Sequence, residues 1–222
     1  MSGLLLLAAL LGAPNSAAAR PASLCAATPP EAWRHARDAV AGKDAGAVML
    51  TLTPAYRTRN SVEYAVGASM VAEIGGLSGE LSSAPGAAEK AKRAEKQLLA
   101  ELDAILTRYK APTIAKIGTP RLMRMQAPEV QSAFAKIDHV GFAREMEKFF
   151  VKVEVAAKAA GVSGGGPPKL DELVVGGGDL GATLAKPAVT GDTARAAAGS
   201  TTMLFRKVGG CWLIDGREDP AR

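Results

Sequence analysis

The sequence predicts an α+β chain, with N-terminal helices packed on a C-terminal antiparallel β-meander that forms a cone-like sheet. Three observations carry this. Apolar residues recur at helical spacing from Trp33 to Val153. Gly161 to Pro168 (GVSGGGPP) then breaks any regular element. Beyond it, Gly191-Asp192, Gly199-Ser200 and Gly209-Gly210 give three two-residue turn signals in a β-rich tail. Helices first and strands last is not a βαβ alternation, and no internal repeat is present. The predicted layout is a signal peptide over 1–19, an N-terminal segment over 20–28, one domain over 29–217 and a tail over 218–222.

The leader comes first. Leu4 to Ala13 is an apolar run, followed by Ala17-Ala18-Ala19 before Arg20, the h-region and cleavage pattern of export. Ten residues at about 1.5 Å each cover only half of a ~30 Å hydrocarbon core, and no later run is long enough to span after cleavage. The expected location is therefore periplasmic or extracellular. Leu24, directly before Cys25, departs from a lipoprotein signal, which needs a small residue there.

Thr28-Pro29-Pro30-Glu31 has capping-box spacing and opens a helix that runs to about Ala41, with Gly42 as its stop. A short helix spans about Asp44 to Leu52. Thr53-Pro54 opens a turn, and Asn60-x-x-Glu63 opens a further helix that Gly75-Gly76 ends. Gly75 to Gly86 reads as a linker. The longest helix follows, about Ala87 to Lys110, barred by Pro112. Pro120 and Pro128 punctuate a poorly patterned stretch. Asp138 caps the last helix, His139 to Ala160, with Val140, Ala143, Met146, Phe150 and Val153 on its buried face.

The tail fixes a register. Ala194 falls opposite Phe205 and Ala196 opposite Met203; Phe205 faces Ile214 and Lys207 faces Trp212. One sheet face then collects Ala194, Ala196, Met203, Phe205, Trp212 and Ile214. The other holds Thr193, Arg195, Thr202, Leu204, Arg206, Cys211, Leu213 and Asp215 and is expected to be wetter. Met203, Phe205 and Trp212 are the candidate binding residues, should the helices leave a gap above them; otherwise they are core.

The chain has two cysteines, Cys25 and Cys211. In an exported protein they read as one disulfide, worth roughly 4–5 kcal/mol by loop entropy; two separate thiols is the other reading. A bridge would pin the N-terminal segment across the back of the sheet.

Several chemistries lack support. Gly161-x-Ser163-x-Gly165 imitates a nucleophile elbow, but a helix precedes it and Pro167-Pro168 follows. Gly176-x-Gly178-x-x-Gly181 imitates a dinucleotide fingerprint, but no helix follows to receive a pyrophosphate. His35 and His139 sit on different helices as surface or cap-flanking residues, and no metal motif or cofactor is implied. The net charge of +5 suits anionic surfaces, whereas 5% aromatic content in an exported chain argues against nucleic acid. The basic run Glu89 to Lys96 carries its own acids and reads as a solvated helix face.

The first helix (EAWRHARDAVAGKD), the start LTPAYR, and VTGDTA and MLFRKVGGCWLID in the tail together resemble the nuclear transport factor-like α+β superfamily, especially exported bacterial members. The resemblance implies helices over a curved sheet, at times with a ligand cavity between them. No position matches the acid–base residues of that superfamily's isomerases, so no catalytic role transfers. The expected function is binding, either of an apolar small molecule or of an anionic envelope component. A small hydrolase or isomerase using a cavity, and a structural envelope protein, are the alternatives.

Overall fold

A computed structural model describes residues 25–80, 86–159 and 180–218. The signal peptide, the Gly161–Pro168 break, the elbow-like string and the strand-like run Leu173 to Val175 lie outside these residues.

Helix α1 (Pro29–Ala41) starts as its sequence dictates. The Thr28 hydroxyl accepts from the Glu31 N–H, and the Glu31 carboxylate reaches back to the Ala27 N–H at 2.7 Å. Asp44 caps α2 (Ala45–Thr51) by accepting from the Ala47 N–H at 3.0 Å. Helix α3 (Pro54–Glu80) corrects the expected boundaries. Asn60 opens nothing and Gly75-Gly76 ends nothing, because one helix runs from Pro54 through both. Thr53 is its start: the Thr53 hydroxyl accepts from the Tyr56 N–H at 3.3 Å, and Pro54 takes the first position, where no backbone donor is needed.

Helix α4 (Ala87–Arg108) packs along α3. Three short helices fill the expected irregular stretch: α5 (Ile114–Ile117), α6 (Arg121–Arg124) and α7 (Pro128–Phe134). Asp138 caps α8 (His139–Ala159), accepting from the N–H groups of Val140 and Gly141. The expected face of α8 is buried at Ala143, Met146, Phe150 and Val153, and Phe142 and Phe149 join it. Helix α8 lies against α2 and α3.

The meander has the order β1-β2-β3-β4, with β1 (Ala188–Thr190), β2 (Thr193–Ala198), β3 (Thr201–Val208) and β4 (Cys211–Glu218). Each predicted turn joins two strands. Gly209 and Gly210 take φ of 59° and 84°, values that only a residue without Cβ adopts cheaply. The predicted pairs Ala194–Phe205, Ala196–Met203, Phe205–Ile214 and Lys207–Trp212 all form. After Phe205 the register shifts: Leu204 pairs with Gly216, leaving Asp215 as an extra residue on β4.

That bulge docks α3. The Asp215 carboxylate accepts from the Thr53 hydroxyl at 2.7 Å and from Arg206 at 2.8 Å, while the Thr53 N–H donates to the Ile214 carbonyl at 2.8 Å. Leu52 and Ala26 form isolated bridges with Ile214 and Trp212, so both line the outer edge of β4. Two expectations change as a result. The described end of the N-terminal segment, at Ala26, continues the sheet at its edge rather than crossing its back. Leu213, assigned to the wetter face, is only 2% exposed. Covering the edge satisfies backbone groups that would otherwise invite another strand.

Cys25 and Cys211 form a disulfide, with Cα atoms 4.9 Å apart. It lies beside the bond from the Trp212 N–H to the Ala26 carbonyl at 2.9 Å. Among the described residues no helix is long and apolar enough to cross a membrane.

Candidate functional site

Met203, Phe205 and Trp212 share one sheet face, as the register requires. They are 0%, 1% and 6% exposed and belong to the same core as Trp33, Leu52 and Phe150. Helices α1 and α3 reach across to β4. The Trp33 indole N–H donates to the Ala182 carbonyl at 3.4 Å, tying α1 to residues 180–187 ahead of β1. Residues 182–187 hold no helix, and Leu184 bridges Ala198; Gly176 and Gly178 of the fingerprint-like string lie outside the described residues.

Polar chemistry gathers elsewhere, between α3 and α8. Ser61 is fully buried in α3, and its Oγ lies 2.8 Å from Nδ1 of His139 at the first position of α8. Burial, with the nearby Arg57 cation adding to it, pushes the His139 pKa down to about 4; Asp138 opposes this and loses. At neutral pH the ring is therefore uncharged. With the Ser61 hydroxyl donating to Nδ1, the ring proton sits on Nε2. Beside Ser61, Asn60 is 1% exposed and neither atom of its amide has a partner. A buried unsatisfied amide costs about 1–3 kcal/mol.

Sequence reading placed His139 at the cap but missed its buried partner. The available signal was the polar pair Asn60-Ser61 directly before the apolar spacing of Val62 and Val66. His35 is likewise no surface residue: its side chain is 12% exposed and its Nδ1 has no partner.

A third feature is electrostatic. Residues 108–136 contain Arg108, Lys110, Lys116, Arg121, Arg124 and Lys136 against one acid, Glu129, an excess equal to the net charge of the whole chain. Three of these cations are paired: Arg108 with Glu145, Arg121 with Glu73 and Arg124 with Glu129. Among the described residues Lys110, Lys116 and Lys136 have no ion pair, and all three are exposed. The same connector holds Leu122 at 57% and Met123 at 81% exposure. Its cations are spaced along the chain instead of forming a run, so no basic motif announces them.

Among the described residues no group of three or more His, Cys, Asp or Glu could hold a metal ion. Comparison of the chain with protein-family models, curated proteins and solved structures gives no match.

Proposed function

We propose that this is an exported domain that acts by binding, and that its partner is an anionic component of the cell envelope. The observation that carries this reading is the concentration of positive charge along 108–136, where three exposed lysines have no ion pair among the described residues. Exposed cations raise the local concentration of an anionic partner and speed encounter without a preformed pocket. A disulfide and an export-type leader suit the same location.

The test is co-sedimentation of the disulfide-intact protein with an isolated envelope fraction. The expected result is retention at about 0.05 M salt and release toward 1 M, where the screening length falls to about 3 Å. Retention that ignores salt, or none at all, would end the proposal.

A second reading rests on the Ser61–His139 pair. A serine hydroxyl beside a neutral imidazole is the pairing that nucleophilic hydrolases use. Ser61 is sealed, so α3 and α8 would have to part for substrate to enter. A fluorophosphonate probe should then label the folded wild type but not Ser61→Ala; an unlabelled wild type removes this reading.

A further inference from the structure

We propose that the anionic component is a phospholipid bilayer surface, met through the turn formed by α5 and α6, with Leu122 and Met123 entering the headgroup zone. This rests on the envelope-binding reading above and names its partner. An anionic polymer needs only cations, and it leaves the two adjacent, largely exposed apolar side chains without a role. A bilayer surface uses both: phosphates attract the basic residues, and the interfacial zone takes up apolar side chains.

The placement favours this. Lys116 is the neighbour of Ile117, whose carbonyl accepts from Arg124 Nε at 3.4 Å, so Lys116 and Arg124 border the same turn. Lys110 and Lys136 stand at the two ends of the connector, directly after α4 and α7. Leu122 and Met123 lie between Arg121 and Arg124, and nothing in their own helix is buried.

The turn is also held in place. Arg121 pairs with Glu73 of α3 at 2.5 Å, the Gln131 amide donates to the Met125 carbonyl, and the Ile114 N–H donates to Asp103 of α4 at 2.8 Å. The two apolar side chains are thus presented by a braced turn, which lowers the ordering cost on binding. Isolated surface apolar residues are ordinary; a braced, adjacent pair flanked by Arg121 and Arg124, with Lys116 on the same turn, is the arrangement that needs a partner.

The experiment compares the disulfide-intact protein on vesicles of phosphatidylcholine alone, on vesicles of phosphatidylcholine mixed with phosphatidylglycerol, and on isolated anionic wall polymer. The expected result is salt-sensitive binding to the mixed vesicles only. The double variant Leu122→Ser/Met123→Ser should bind them about tenfold more weakly. Its thermal midpoint should be unchanged, since both side chains are exposed. Unaltered vesicle binding by the variant, or equal binding to the neutral vesicles, overturns the proposal. Binding to the polymer but not to vesicles overturns it too, while leaving the envelope reading intact; binding to none of the three overturns both.

Discussion

Replacing Cys25 and Cys211 together by serine is expected to lower the unfolding free energy by roughly 5 kcal/mol and the thermal midpoint by roughly 10–20 °C. The magnitude comes from the length of chain enclosed. The bridge spans 186 residues, so among the described residues every helix and three of the four strands lie within the loop it closes. Cross-linking so long a loop removes more entropy from the unfolded ensemble than a short bridge does. In the folded state the bridge asks little, because the backbone already brings its ends together through the Trp212–Ala26 hydrogen bond. Thermal unfolding followed by circular dichroism checks this on three samples: oxidised wild type, reduced wild type and the double variant. The last two should coincide. A fall of less than about 3 °C would mean that the sheet edge holds without the bridge.

The meander was legible because its determinants are local. Gly at each turn permits positive φ, turn length sets the register, and register decides which side chains share a face. The start of α1 was legible for the same reason, since Thr28 and Glu31 satisfy donors within one turn. Helix α3 was misjudged where local and tertiary preferences compete. Asn60 and Gly75-Gly76 carry real boundary preferences of about 1 kcal/mol each, but packing of the 27-residue helix along α4 outweighs them. The burial of Leu213 was hidden because it follows from segments far away in sequence, Ala26 and Leu52, covering the β4 edge. The Ser61–His139 contact joins residues 78 apart and leaves no periodic trace. The cations of 108–136 were in plain view, but only the fold shows which of them are paired.

Lowering the pH from about 6.5 to 4 is expected to cost the folded state about 2 kcal/mol through His139 alone. The folded pKa is about 4, below the ordinary 6.5 of an unfolded chain. Above 6.5 the ring is neutral in both states and contributes no pH dependence. Between 6.5 and 4 the unfolded chain binds a proton that the folded protein refuses, so stability falls across that window and levels off below 4. The full shift would correspond to roughly 3 kcal/mol; partial solvent access to the ring reduces it. Protonation also turns Nδ1 from acceptor to donor, which reverses the bond so that the Ser61 hydroxyl oxygen accepts, and sets a second positive charge near Arg57. His139→Asn keeps an acceptor near the Nδ1 position and cannot titrate, so its urea-unfolding free energy should change less between pH 7 and pH 4 than that of the wild type. Ser61→Ala removes the hydroxyl but leaves the ring buried, and should retain most of the dependence. An NMR titration of the imidazole reads the cause directly. A midpoint near 6.5 would show a solvated ring, and would remove both the acid sensitivity and the desolvated base on which the serine reading depends.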